Sequence, residues 1–197
     1  FESVYKISRH SAKITYVVSD SLDPEIPAAI HSHALLLDSE DDMWIGTREG
    51  FARDNRTSKS LKKFKLKTYP DNSMSQEGTA LYEDSKRNLW IGSFGGGVYR
   101  FDRNTSEILR HELLPYNSAH RRMNRITAIT EDNRGNLILK TSAGVHFLDQ
   151  QSDRLINWMQ IEKSRSGLDF FVDEGLYWDP SGLLWFSIPP GQAEPAG

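Results

Sequence analysis

Chemistry in this chain would have to come from a short inventory of side chains. There are no cysteines and six histidines, at His10, His31, His33, His111, His120 and His146. Only His31 and His33 are closely spaced. On a strand alternate residues share a face, so the pair could be half of a metal site. No third ligand stands at a matching spacing, and we read the two as packing or surface residues, with no metal. Without cysteine there is no thiol nucleophile, thiolate site or disulfide, which suits an oxidising compartment without requiring one. Gly95-Gly96-Gly97 lacks the Lys-Ser/Thr of a phosphate loop. Four aspartates, Asp38, Asp84, Asp132 and Asp179, recur at steps of 46, 48 and 47 residues and could form a ring of acids. A formal charge of -3 at pH 7 argues against a polyanion partner, so no nucleic acid is expected. Lys59, Lys62, Lys63, Lys65 and Lys67 read as a solvated strand face.

The aspartates belong to a repeat, and the repeat decides their role. Six residues after each stands Trp44, Trp90, Ile138 or Trp185. Three further on come Thr47, Ser93 and Thr141, with Ile188 breaking the pattern, and Gly50, Gly96 and Gly144 follow at plus six. One residue type preceding one turn in every copy is a turn cap, with the carboxylate expected to accept backbone N–H bonds two or three residues on. Three residues after each aspartate a positive φ is expected. Gly135 and Gly182 suit it, Asp41 tolerates it, and Arg87 would carry a small strain. Each tryptophan is a large wedge between sheets. Gly46 and Gly92, two residues later, mark where neighbouring sheets approach closely.

Short strands bracket these turns. Ala34 to Leu37 is an apolar run suited to a strand buried on both faces. Met43 to Thr47 returns the chain, and Phe51 to Arg53 and Leu61 to Leu66 complete four. Residues 78–115 and 124–163 repeat the scheme begun by 33–68. Residues 1–18 match the second half of a unit, since Val4-Tyr5-Lys6-Ile7 parallels Val98-Tyr99-Arg100-Phe101. Residues 172–189 match the first half. Residues 190–197, after Pro189-Pro190, read as a tail. Four short strands per unit and no amphipathic helix predict an all-β fold: a β-propeller segment of four-stranded antiparallel blades, about three whole blades plus two halves. Phe1 is no initiator, so a processed or cut piece is expected.

The stretch Asp84-Ser85-Lys86-Arg87-Asn88-Leu89-Trp90-Ile91-Gly92-Ser93-Phe94-Gly95-Gly96-Gly97-Val98-Tyr99-Arg100-Phe101-Asp102 resembles the two-component regulator propeller repeat. That resemblance implies the periplasmic sensor domain of a hybrid histidine kinase/response regulator in the inner membrane. Such proteins often regulate polysaccharide use, so an oligosaccharide or other small ligand is implied. Further blades and a kinase module would then lie elsewhere in the full-length protein, and a larger ring, of seven blades by resemblance, is favoured over a closed ring of four. Exposed edges of such an arc would be covered by missing sequence or by another copy, so a homo-oligomer is expected.

Propeller topology also says where a ligand would sit. With the first strand of each blade innermost, the aspartate turns occupy one rim, and the Thr-x-x-Gly turns and blade connections occupy the other. His33, Arg48, Phe94, Asn124, Arg125 and Ser142 would then cluster around the channel mouth. Arginine beside an aromatic ring suits a sugar, with fork donors for hydroxyls or carboxylates and an apolar face for a ring. No catalytic residue and no cofactor is expected. A protein-interaction scaffold and a lyase-type propeller enzyme are the competing readings.

Overall fold

The computed structural model describes residues 4–7, 14–18, 34–55, 57–58, 60–66, 76–111, 125–141, 144–152, 154–157 and 176–186. All regular structure among them is β. A hairpin of β1 (Val4–Ile7) and β2 (Ile14–Val18) comes first. Three four-stranded antiparallel meanders follow. The first blade is β3 (Leu35–Leu37), β4 (Met43–Thr47), β5 (Gly50–Asn55) and β6 (Ser60–Lys65). The second is β7 (Gly78–Glu83), β8 (Leu89–Ser93), β9 (Val98–Phe101) and β10 (Ile108–His111). The third is β11 (Ile126–Glu131), β12 (Leu137–Thr141), β13 (Gly144–Asp149) and β14 (Arg154–Asn157). A hairpin of β15 (Leu176–Trp178) and β16 (Leu184–Phe186) closes the series and shares no ladder with β1–β2. First strands of successive sheets lie against one another: β3 by β7, β7 by β11, β11 by β15. This is a β-propeller segment of three whole blades and two halves.

The aspartate turns show why the repeat is kept. Asp84 Oδ1 accepts the N–H groups of Lys86 and Asn88 at 3.0 and 2.8 Å, and Asp132 Oδ1 accepts those of Arg134 and Asn136, both at 2.8 Å. Asp38 does the same with Glu40 and Asp42 at 2.9 Å. The bonds fall two and four residues on, not two or three. The third residue is occupied otherwise: its N–H bonds the aspartate's own carbonyl, from Asp41, Arg87, Gly135 and Gly182 at 2.9–3.1 Å. Those four residues have φ of 64°, 66°, 82° and 89°, so all take the expected left-handed conformation. Asp41 and Arg87 adopt it against the cost of a Cβ.

The second carboxylate oxygen reaches the tryptophan. Trp44, Trp90 and Trp185 donate Nε1–H to Asp38, Asp84 and Asp179 Oδ2 at 2.7, 2.8 and 2.7 Å. In the third copy, where Ile138 replaces tryptophan, the Asn136 amide donates to Asp132 Oδ2 at 2.9 Å. The Asp-x5-Trp spacing therefore fixes a wedge at both ends: the ring packs between blades and its N–H is tied to the turn.

Packing between blades is directional. One face of the first blade, with Trp44, Phe51, Phe64 and Leu66, meets Leu89, Ile91, Tyr99 and Phe101 of the second. The second blade turns Ala80, Trp90 and Val98 toward Ile126, Ile129, Leu137, Leu139 and Leu148 of the third. A Cβ on Gly92 would come within 2.6 Å of Ile126 Cγ2, and one on Gly46 would strike the Gly78 carbonyl, so the close approach of sheets there is real. Two expectations fail. The strand at Leu35–Leu37 is not buried on both faces, because the side of Leu35 and Leu37 is bare. Trp185 is no wedge here: it is exposed, with no following sheet against it among the described residues.

Candidate ligand-binding rim

The two rims differ in how their polar groups are used. On the aspartate-turn rim, each blade reaches back to the one before it. Glu83, at the end of β7, accepts the Ser39 N–H and hydroxyl of the preceding turn, both at 2.7 Å. Glu131, at the end of β11, accepts the Ser85 N–H and hydroxyl at 2.7 and 2.8 Å. In the same column Trp178 donates to Asn133 Oδ1 at 3.1 Å.

A second contact comes from the β9–β10 turn. Arg103 donates to Asp38 Oδ2 at 2.7 Å, to Glu83 Oε1 at 2.8 Å and to the Arg87 carbonyl at 3.2 Å. Gln150 takes the equivalent place in the third blade, 3.3 Å from Asp84 Oδ2. Burial alone would raise the Asp38 carboxyl and lower the Arg103 guanidinium. Bonds from Trp44, Arg103 and the turn amides hold Asp38 below the usual carboxylate range, and Asp38 with the charges of Glu40 and Glu83 holds Arg103 up. These acids are occupied in holding blades together and do not form a free ring of carboxylates.

The opposite rim presents unpaired donors. The β4–β5 turn carries Arg48, exposed. Ser93 closes the turn after β8: its hydroxyl donates to the Gly97 carbonyl at 3.1 Å and accepts the Gly96 N–H at 2.7 Å. That turn lifts Phe94 to the surface, 39% exposed, while its N–H bonds the Glu77 carbonyl at 3.0 Å. Arg125, immediately before β11, lays its guanidinium over the Phe94 ring, 4.1 Å from the centroid. Thr79 anchors this junction by donating to the Ile126 carbonyl. Among the described residues neither Arg48 nor Arg125 has an ion-pair partner.

Of the six residues expected at this rim, the structure joins Phe94 and Arg125 and leaves Arg48 exposed in the corresponding turn of the preceding blade. His33, Asn124 and Ser142 lie outside the described residues. One expectation changes. One face of the Phe94 ring is taken by the Arg125 guanidinium, so ring and guanidinium form a single exposed platform. The blade-linking residues Glu83, Glu131, Arg103 and Gln150 were missed by sequence reasoning. Their signal was available: Glu83 and Glu131 each stand one residue before a repeat aspartate, and Ser39 and Ser85 one residue after.

Repeated Asp-turn blades, clasped to one another at the aspartate-turn rim, define a propeller segment. No family model matches the chain, and no curated protein matches it. Solved structures do. The extracellular domain of the hybrid two-component system BT4673 from B. thetaiotaomicron superposes with a TM-score of 0.70 at 17% identity, over 93% of this chain and 23% of that one. That of BT3049 from the same organism gives 0.63 at 15%, over 91% and 24%. Virginiamycin B lyase from Staphylococcus aureus gives 0.65 at 15%, over 93% and 55%. This chain therefore spans about a quarter of the length of the first two, and the likeness concerns the fold.

Proposed function

We propose that this chain is a non-catalytic, extracytoplasmic ligand-sensing segment of a membrane two-component regulator, and that it responds to an oligosaccharide at the Arg48, Phe94 and Arg125 rim. The observation that carries the reading is the guanidinium of Arg125 laid on exposed Phe94 at 4.1 Å, on the rim where neither Arg48 nor Arg125 has an ion-pair partner among the described residues. An exposed guanidinium without an ion-pair partner favours sugars bearing carboxylates over neutral ones, because two parallel N–H bonds fit a carboxylate. The resemblance of the Asp84–Asp102 stretch and the extracellular neighbours of two-component systems support this class. A periplasmic place, an inner-membrane anchor, further blades and a kinase module belong to the same proposal.

Calorimetric titration with a panel of neutral and uronic-acid oligosaccharides tests it. Arg125→Ala and Arg48→Ala should each weaken binding at least about tenfold, the loss of roughly 1.4 kcal/mol expected for a charge-assisted bond. Lys86→Ala and Arg134→Ala, on the aspartate-turn rim, should leave it unchanged. The reverse pattern moves the site to the other rim. The lyase neighbour supports a second reading, a propeller enzyme. Bond cleavage in any panel sugar, followed by chromatography, would favour it over sensing.

A further inference from the structure

The seam between the second and third blades buries histidine where the seam before it buries other rings. His146 pairs with Leu139 across β12–β13, and Leu139 packs with Trp90 and Val98 of the second blade, so the imidazole lies on the seam face of the third. It is fully buried, and among the described residues neither ring nitrogen has a hydrogen-bond partner. His111 stands on the facing side: it pairs with Val98, and its ring centroid lies 5.1 Å from that of Trp90. The repeat register puts Tyr99 and Phe64 in these two places between the first and second blades, where both rings stay neutral in acid.

A charged His146 would have no counterion there. The titratable or charged groups on the facing side of the second blade are Tyr82 on β7, Arg100 on β9 and His111 on β10, none of them an anion in acid; β8 contributes Trp90 and Gly92. On the third blade's own face β11 contributes Glu131, which stands level with Leu137, a row nearer the aspartate-turn rim, and is engaged by Ser85. Leu139 on β12 and Asn157 on β14 flank the imidazole, and Lys140 lies on the other face of the sheet. A proton on His146 in the closed seam is therefore a buried, unpaired cation, and parting the blades relieves it. Burial pushes the His146 pKa from 6.5 down to about 4, so the closed seam refuses a proton that an open one accepts, and acid favours opening. The candidate rim straddles this same seam: Phe94 belongs to the turn after β8, Arg125 precedes β11, and they meet at 4.1 Å.

We propose that the seam between the second and third blades is a proton-operated hinge: a proton on His146 parts these two blades while the first seam stays closed, and the parting separates Phe94 from Arg125. The hinge itself needs no ligand. That it weakens oligosaccharide binding in acid rests on the function proposed above, because only the closed seam presents both halves of the platform.

Hydrogen exchange of the indole N–H groups, followed by NMR, tests the hinge without ligand. Trp44 reports the first seam and Trp90 the second in one sample, so the ratio of their rates cancels the intrinsic pH dependence of exchange. From about pH 7.5 to about pH 5 the Trp90 rate should rise about thirtyfold relative to that of Trp44, the factor set by roughly 1.5 pH units below the ordinary imidazole value of 6.5. His146→Phe, and His146→Leu as a second variant that cannot titrate, should abolish the rise, and His111→Phe should keep it. A constant ratio in the unmodified chain overturns the hinge, since global unfolding would expose both indoles alike. A rise that survives both His146 variants, or that disappears in His111→Phe, overturns it as well. A uronic-acid oligosaccharide that binds at about pH 7.5 should, at saturation, lower the ratio at about pH 5; an unchanged ratio overturns the coupling to the rim. A panel without a binder at about pH 7.5 overturns the function proposed above, while the hinge is decided by the indole ratio.

Discussion

Between the first and second blades, Trp44 meets Phe51, Phe64 and Phe101 at ring-centroid distances of 5.7, 6.2 and 5.1 Å. Between the second and third, Trp90 sits in a cluster whose third-blade side is aliphatic: Ile126, Ile129, Leu137, Leu139 and Leu148. The rims of the seams diverge in parallel. Asp38 and Asp42 are two buried acids in the first turn, balanced by Arg103 on Asp38 and by Arg53 on Asp42. In the second turn Asn88 replaces Asp42 and donates its amide to Asp84 at 2.8 Å, so a weakly held Gln150 suffices where Arg103 stood. Inside the seam, the place that Tyr99 fills beside Ile91 is filled beside Leu139 by His146. One backbone pattern thus supports two interfaces, and the side chains that differ are those that face another blade.

The largest predicted difference lies in the wedges. Trp44→Ala and Trp90→Ala should each cost about 3–5 kcal/mol of unfolding free energy as large-to-small core changes that also remove one of the hydrogen bonds to an aspartate oxygen. Trp44→Ala should stand at the upper end, because it removes three aromatic contacts and the guanidinium of Arg53 stacked 5.5 Å from its ring. Equal losses in urea titrations would remove the aromatic distinction between the seams.

The next difference appears with acid. His146 is fully buried, neither ring nitrogen has a hydrogen-bond partner, and burial pushes its pKa down to about 4. Above about pH 6.5 the imidazole is neutral whether folded or unfolded, and stability is unaffected. Between 6.5 and 4 the unfolded chain takes a proton that the folded one refuses, so stability falls with pH and reaches a loss of roughly 3 kcal/mol below 4. Asp38 and Asp179 are held below the usual carboxylate range, Asp179 at about 2, by the Ser181 hydroxyl and then the Trp185 indole. Their acid losses therefore begin lower, below the ordinary carboxylate pKa of 3.8. His146→Phe should flatten the stability profile between pH 6.5 and 4 while leaving the lower limb. A profile that keeps its slope in that variant would assign the acid sensitivity elsewhere.

Smaller still is the effect of the clasp. Arg103→Ala should cost about 2 kcal/mol, less than the loss of a fully buried ion pair, because Asp38 keeps the Trp44 indole and two turn amides. Gln150→Ala should cost no more than about 0.5 kcal/mol, the lower end for a hydrogen bond, given its 3.3 Å length. Comparable losses would show that the seams are clasped equally.

What could be read from the sequence follows this same division. The aspartate turns, the positive φ at Asp41, Arg87, Gly135 and Gly182, and the blade order are local and periodic, so spacing alone carried them. The tryptophan's tie to the aspartate was within reach at a fixed offset of six, but a reading that weighed only ring bulk passed over it. Leu35, Leu37 and Trp185 were misjudged because a residue type does not say whether a further blade covers it. His146 stood undistinguished among six histidines, since its burial comes from the blade it faces and not from its neighbours in the chain. The pairing of Phe94 with Arg125 lay in between: both were assigned to one rim, but that the guanidinium would cover the ring depends on the twist between two sheets.

The last effect is the most specific, because it attempts to convert one seam into the other. Gln150→Arg places a guanidinium where Arg103 stands in the preceding seam, with Asp84 and Glu131 in the places of Asp38 and Glu83. The match is incomplete. Asp84 Oδ2 already accepts from Trp90 and Asn88, and Asn88 is the group that made an arginine unnecessary. Gln150→Arg alone should therefore stabilise by less than about 1 kcal/mol, as expected of a partly exposed pair that must also order a long side chain. Combining it with Asn88→Asp recreates the two-acid turn of the first blade, and Arg100, paired opposite Trp90 as Arg53 is opposite Trp44, stands where an arginine balances Asp42 in that blade. If Arg100 can swing to the new acid, the double variant should recover most of the loss caused by Asn88→Asp alone, and the coupling measured in a double-mutant cycle should be favourable. A coupling of zero would mean that the difference between the seams rests on their apolar faces and not on charge at the rim.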